Sequence, residues 1–235
     1  MNAADAKEAL KVHINPEKAA FFPHFFKTGK GEYGEGDQFI GVTVPNQRKV
    51  AKSFRAMPET ELIKLVKDPV HEYRLTGLLI LVLQYQRAKM EATKSGIVEL
   101  YLSLLDHVNN WDLVDSSAHK ILGDWLLDRE DERVILDELA ESGHLWRERV
   151  SVIACFPMIK NAEFDWILRL ADWFLDHEHD LMHKAVGWML REAGKVELDV
   201  LLDFLDENVN RMPRTMLRYA IEKLPERKRK QYLAL

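Results

Sequence analysis

Helix-length apolar periodicity recurs along almost the whole chain, and it recurs in related blocks. Segments at His71-Glu72-Tyr73-Arg74, Trp111-Asp112-Leu113-Val114, Trp146-Arg147-Glu148-Arg149, Met182-His183-Lys184-Ala185 and Pro213-Arg214-Thr215-Met216 each open with polar or aromatic residues and run on into an apolar helix. Their spacing is roughly 30–40 residues, the range of two-helix repeats. A unit of that size cannot bury its apolar face alone and must stack on a neighbour. Strand-like alternation is rare. The expected fold class is therefore all-α, a helical-repeat solenoid in which one row of helices lines a concave surface, forming a single domain over residues 1–235. The competing arrangement is an irregular helical bundle.

The periodicity predicts helices at roughly 3–12, 16–27, 46–56, 59–67, 70–88, 91–105, 111–127, 131–141, 145–159, 164–176, 180–193, 197–208, 213–223 and 226–233. Pro45, Pro58, Pro213 and Pro225 suit first-turn or entry positions, where a missing N–H costs little. Asp68-Pro69 marks a break before the most apolar helix. The one long loop is Thr28 to Asp37, TGKGEYGEGD, whose four glycines predict a turn-rich connection. Gly187 lies inside a predicted helix, where glycine costs about 1 kcal/mol against alanine, and so points to close packing.

The balance of 33 Lys+Arg against 38 Asp+Glu gives a net charge of −5, which excludes a uniformly cationic DNA coat. It does not exclude a local basic face, because a groove senses its own charges more than the sum. Residues 128–180 hold 14 acidic and 6 basic side chains, whereas residues 211–235 hold 8 basic and 2 acidic. Arg211, Arg214 and Arg218 recur at helical spacing and are expected on one face. A second basic group is Arg48, Lys49, Lys52 and Arg55. Such groups suit a phosphate-binding rim, or else a solvated helix surface. The single cysteine, Cys155, excludes an internal disulfide and any site needing several thiolates. It sits in an apolar run and reads as a buried, inert thiol. The N-terminal MNAADAKEALKVH has neither the apolar core of a secretory signal nor an Arg-rich transit character. The longest apolar stretch, Leu78 to Leu83, is too short to span a bilayer. The expectation is a soluble, cytoplasmic protein without a membrane partner.

Asn109-Asn110-Trp111-Asp112-Leu113-Val114-Asp115 carries the strongest chemical signal. Asn109 or Asn110 can cap the following helix. Trp111 and Asp115 stand four apart and share a face, offering a π surface and a negative charge together. A packing Trp beside a surface Asp is the plainer reading of the same residues. Arg149 precedes an apolar run and could hold a phosphate bidentately, or pair with Glu148 or a neighbouring repeat. Trp188, beside Gly187, is either core or ligand-facing, and the sequence alone favours core. In His177-Glu178-His179-Asp180-Leu181-Met182-His183, His179 and His183 stand four apart and tempt a metal reading. The register is not H-E-x-x-H, however, no third ligand is evident, and Asp180 reads as the cap of the next helix. The glycine-rich loop lacks P-loop order, and no G-x-S-x-G motif is present.

Taken together, five pieces carry a resemblance. They are Asn15-Pro16-Glu17-Lys18-Ala19, Phe39-Ile40-Gly41-Val42-Thr43-Val44-Pro45, Trp111-Asp112-Leu113-Val114-Asp115, Leu145-Trp146-Arg147-Glu148-Arg149, and Lys184 through Gly187-Trp188 to Glu192. In this order the chain resembles the AlkD family of bacterial DNA alkylation-repair glycosylases, built from HEAT-like repeats. The resemblance implies a concave DNA-binding surface. It places a Trp and an Asp one turn later at Trp111 and Asp115, an Arg at Arg149 and a second Trp at Trp188. It implies hydrolysis of the N-glycosidic bond of cationic N3- and N7-alkylpurines such as 3-methyladenine and 7-methylguanine in duplex DNA. The reaction is expected without metal or other cofactor, and without extruding the base into a pocket. Phe25 stands where the compared member has a Tyr, and the Thr28 to Asp37 loop is an insertion.

In that scheme Asp115 stabilises the positive sugar and orients water. Trp111 and Trp188 pack against the deoxyribose, and Arg149 holds a phosphate. Arg48, Lys52, Arg211, Arg214 and Arg218 are the expected DNA-backbone contacts. No obligate protein partner is implied. Two other functions compete: a non-catalytic binder of damaged or branched DNA, and a protein-interaction scaffold, the latter leaving the four site residues unexplained.

Overall fold

The computed structural model describes residues 1–235 and is all-helical. Two compact units divide the chain, Met1–Leu122 and Gly123–Leu235. The first holds α1 (Ala3–Lys11), α2 (Pro16–Phe25), α3 (Val44–Ser53), α4 (Glu59–Val66), α5 (His71–Arg87), α6 (Glu91–Ser103) and α7 (Trp111–Ala118). The second holds α8 (Asp124–Leu126), α9 (Ile135–Ala140), α10 (Leu145–Ala154), α11 (Phe156–Lys160), α12 (Asp165–Trp173), α13 (Asp180–Val196), α14 (Leu198–Asn208), α15 (Arg214–Ala220) and α16 (Glu226–Ala234). No helix is long and apolar enough to cross a membrane.

In the first unit α5 is the core element. Its apolar run Leu78 to Val82 is buried, and α3, α4, α6 and α7 pack around it. A helix apolar on all sides is stable only when so enclosed. In the second unit α10 packs on α9, α12 and α13, and α13 packs on α14 and α15. The block-opening helices begin at residues 71, 111, 145, 180 and 214, so the period in the sequence is a period of helices. Within each unit, successive members touch: α5 with α7, α10 with α13, and α13 with α15. Gly187 explains the last crossing. A Cβ there would meet the Met216 carbonyl oxygen at 2.4 Å and the Tyr219 Cβ at 2.6 Å. The helices approach closer than any side chain allows.

The structure revises several boundaries. The helix expected over 111–127 is regular only to Ala118. A π turn over His119–Gly123 follows, then the single turn of α8. The helix expected over 145–159 breaks at Cys155, because Pro157 has no N–H to donate and its ring crowds the carbonyl one turn back. The segment 131–141 opens with a 3-10 turn at Glu130–Glu132 before α9. Asp180 is not a cap. It is the first residue of α13 and pairs with Lys184 at 2.6 Å, while His179 Nδ1 accepts from the Leu181 N–H. Arg211 does not share a helix face with Arg214 and Arg218, because it precedes α15, whose N-cap is Pro213. Cys155 is buried as expected, and burial pushes its thiol up to about 12.

Candidate functional site

The start of α7 is fixed by Asn110, whose side-chain oxygen accepts from the Trp111 N–H at 2.9 Å. The helix that follows brings Trp111, Asp115 and Ser116 to the wall of one pocket of about 340 Å³. Trp111 and Asp115 therefore do share a face, as their spacing predicts. Phe25, at the end of α2, is 48% exposed and meets the Trp111 ring edge-on, centroids 6.0 Å apart. Phe26 stacks on Trp111 at 5.4 Å and on Phe39 at 4.9 Å. Phe26, which caps α2, and Phe39 thus form a column under the indole, with Phe25 edge-on beside it.

The loop carrying Phe39 is held by two devices. The Glu72 carboxylate on α5 accepts from the N–H groups of Ile40, Gly41 and Val42 at 3.1, 2.7 and 3.2 Å. Burial still pushes the Glu72 carboxyl up, against the pull of those donors. Gly41 has φ +80°, and a Cβ there would sit 2.1 Å from the Asn15 carbonyl oxygen and 2.6 Å from the Ala19 nitrogen. The Asn15–Ala19 and Phe39–Pro45 pieces, separate in the sequence, are one backbone-to-backbone contact.

Beneath the aromatic column lies a buried ionic cluster that the sequence did not disclose. His71 Nδ1 is 3.1 Å from Asp37 Oδ2, and its Nε2 is 2.9 Å from Asp112 Oδ2. Asp37 also accepts from Arg74 and from Asn110 Nδ2. The His71 ring stacks on Phe39 at 4.7 Å. Burial opposes charge on His71, but the Asp112 carboxylate and then Asp37 outweigh it and raise the imidazole to about 9. His71 is thus an imidazolium between two carboxylates. Burial likewise opposes the Asp37 charge, but bonding to His71 and the Arg74 charge hold its carboxyl below the ordinary range. The loop read only as a glycine-rich connection ends in the residue that ties α5 to the cap of α7. The sequence marks it only by the Asp that closes the loop and by the polar opening of α5.

His119 follows Asp115 by one turn. Burial, then the neighbouring Lys120, lowers its imidazole to about 4, so it is neutral near pH 7. Lys120 joins Arg48 and Lys52 along a groove floored by Leu79, Val82 and Leu83. Burial, then Arg48, lowers the Lys120 ammonium. No carboxylate lines that groove. The sequence reading selected Arg48 and Lys52 and missed Lys120.

The second unit carries the other selected residues. Arg149 is 4% exposed and donates from Nη1 to the Leu181 carbonyl at 2.5 Å, so the start of α13 fixes its guanidinium. Trp188 is half-buried rather than core, and its Nε1–H lies 3.3 Å from Glu192 Oε1. Arg211 is exposed and reaches Asp172 at 3.2 Å and Asp176 at 3.5 Å. Arg214 donates to the Leu233 carbonyl at 2.6 Å, and Arg218 is exposed on α15. The histidines do not converge. His177 faces Glu148 at 3.0 Å, His179 caps α13, and His183 Nε2 bonds to the His177 carbonyl. No three His, Cys, Asp or Glu side chains stand together as a metal site would need.

Comparison with known proteins adds two findings. A solved structure described as a predicted DNA alkylation repair enzyme from Enterococcus faecalis superposes with a TM-score of 0.72 at 19% identity, covering 91% of this chain and 98% of its own. That identity speaks for the fold. No curated protein matches in sequence. The family model for the DNA alkylation repair enzyme matches residues 6–224, nearly the whole length. The chain belongs to the DNA alkylation repair enzyme family.

Proposed function

We propose that the chain is a monofunctional DNA glycosylase that hydrolyses the N-glycosidic bond of cationic N3- and N7-alkylpurines in duplex DNA, needing no metal ion. The observation that carries this reading is the pairing of Trp111 and Asp115 on one wall of an aromatic pocket, in a chain of a DNA-repair family. An alkylated purine already bears a positive charge. It takes the electron pair of its bond to C1′ and leaves as a neutral base, so no acid is needed to assist departure. The work left for the protein lies at the sugar, where positive charge develops. Asp115 opposes that charge and orients the water that adds its hydroxyl to C1′, the proton it sheds passing to solvent. Trp111 offers its electron-rich face to the same sugar.

In the second unit, Trp188 is assigned a similar packing role and Arg149 a phosphate contact that sets register. Half-burial leaves part of the Trp188 ring available, and the Leu181 carbonyl orients the Arg149 fork. Arg48, Lys52, Arg214 and Arg218 are assigned to the DNA backbone, with binding that weakens steeply with salt. Arg211 has the weakest claim, since two carboxylates already neutralise it.

The test is release of 7-methylguanine from methylated duplex DNA in the presence of chelator. Wild type should release it, and Asp115→Asn should bind the duplex but lose most of the release. Equal release by both would remove Asp115 from the chemistry. Binding without release by either would replace this reading with a non-catalytic binder of damaged or branched DNA.

A further inference from the structure

Trp111 is the opening residue of α7. Side chains on a helix lean back over the turn before them, and at the first position no such turn exists to support the ring. Trp111 is nevertheless half-buried and held on three sides. Each support leads back to one side chain, His71.

The first support runs through the following residue, where His71 Nε2 meets Asp112 Oδ2 at 2.9 Å. The second runs through the preceding one. His71 Nδ1 meets Asp37 Oδ2 at 3.1 Å, and the same oxygen accepts from Asn110 Nδ2 at 3.1 Å, while Asn110 Oδ1 accepts from the Trp111 N–H. The third is aromatic. The imidazole lies against Phe39 and Phe26, with centroids 4.7 and 4.9 Å away, and Phe26 stacks on the indole. The glycine-rich loop closes the second support. It supplies Asp37, and a Cβ on its Gly34 would meet the Phe26 carbonyl oxygen at 2.4 Å and Asn110 Nδ2 at 3.4 Å.

Both ring nitrogens face a carboxylate, and only the imidazolium can donate to both. A neutral ring turns a lone pair toward one carboxylate and releases one flank of Trp111. The other charges near the ring belong to α5 itself. Arg74 donates to Asp37, and Glu72 accepts from the N–H groups of Ile40, Gly41 and Val42. Phe26, the cap of α2, brings only its ring. Buried ion pairs add little net stability over apolar residues of the same shape, and fixing one arrangement is their best-attested use.

We propose that His71 is a positioning residue: it holds the Trp111 indole in the orientation that meets the substrate deoxyribose, and the Thr28 to Asp37 loop takes part through Asp37. The proposal rests on the reading of Trp111 as a contact to the sugar of alkylated DNA. Asp115 lies one turn deeper in α7, so loss of His71 displaces Trp111 first.

The experiment has two arms. The first follows single-turnover release of 7-methylguanine together with duplex affinity. His71→Gln should lose about tenfold in rate with affinity nearly unchanged, because a misplaced contact acts within the bound complex. Asn110→Ser keeps a capping oxygen but loses the bond to Asp37, and should lose rate in the same direction even where His71→Gln fails to fold. In a Trp111→Ala background, His71→Gln should cost little more, whereas losses that multiply overturn the proposal. The ratio of wild-type to His71→Gln rates should narrow as pH rises through about 9, where the wild-type imidazolium becomes neutral. Taking the ratio removes changes in the reactivity of the lesion itself.

The second arm needs no catalysis. The full chain is labelled with 5-fluorotryptophan, and the Trp111 fluorine resonance is identified by its absence from Trp111→Phe. Between about pH 8 and 10 it should shift in the wild type and stay in place in His71→Gln. A Trp111 resonance that ignores pH overturns the proposal while leaving the glycosylase reading intact. A resonance that moves in a wild type that releases no base keeps His71 as the holder of Trp111 and overturns the glycosylase reading.

Discussion

His71 Nε2 stands 2.9 Å from Asp112 Oδ2, so the residue immediately after Trp111 is anchored to the first turn of α5 by a buried ion pair. The His71 imidazole titrates near 6.5 when unfolded and near 9 when folded. Its contribution to stability is therefore fully present below pH about 6.5 and lost as pH rises through about 9. The shift corresponds to something on the order of 3 kcal/mol. Thermal midpoints measured from pH 6.5 to 9.5 should fall, and His71→Gln should start lower and show a much flatter profile there. An unchanged slope in the variant would place the titration elsewhere.

His119 works with the opposite sign. Its imidazole falls from 6.5 to about 4 on folding, so the folded chain holds it neutral while the unfolded chain protonates it. Stability is lost as pH falls from about 6.5 toward 4. His119→Gln should soften the loss of the thermal midpoint over that interval without changing the alkaline limb. If both limbs keep their wild-type shape, burial of His119 has no energetic consequence.

Gly41 should be among the least tolerant positions. Alanine there must adopt φ +80° and place its Cβ 2.1 Å from a backbone oxygen, which only a backbone shift can relieve. Gly31 has a similar φ of +78° but open space around it. Gly31→Ala should cost about 1 kcal/mol from conformation alone, and Gly41→Ala clearly more. Chemical denaturation of the two variants separates the terms. Equal losses would mean that the Asn15 backbone yields freely.

These positions show what the sequence could and could not disclose. Local periodicity located nearly every helix, and the spacing of Trp111 and Asp115 put them on one face, because both are properties of neighbouring residues. The break at His119 lies inside continuous apolar periodicity, which does not record it, whereas the break at Cys155 follows from Pro157, a local residue that periodicity alone passes over. The cluster of Asp37, His71, Arg74, Asn110 and Asp112 was illegible for another reason. Its Asn110–Asp37 bond joins residues 73 apart, and no pattern of period two or 3.6 records such a meeting. Arg211 misled because helical spacing extends through Pro213 on paper but not in the chain.

Lys120 offers a trade between stability and binding. With Arg48 and Lys52 it forms a cationic groove on an apolar floor, without a lining carboxylate, and the cost appears in its lowered ammonium. Like charges held together without a counter-ion destabilise a fold modestly and become favourable when an anion arrives. Lys120→Met keeps most of the side-chain length and removes the charge. It should raise the thermal midpoint slightly, since the repulsion with Arg48 and the desolvation of the ammonium both vanish. On DNA, the slope of log affinity against log salt should shrink by about 0.9, the effect of neutralising one phosphate fewer. Arg218→Met, on an exposed face of α15, should shrink the slope by a similar amount without the gain in stability. Arg211→Met should leave it nearly unchanged, because Asp172 and Asp176 already neutralise that charge. If Lys120→Met gains stability but leaves the salt slope untouched, the groove does not meet the phosphate backbone and the DNA path lies along other cations.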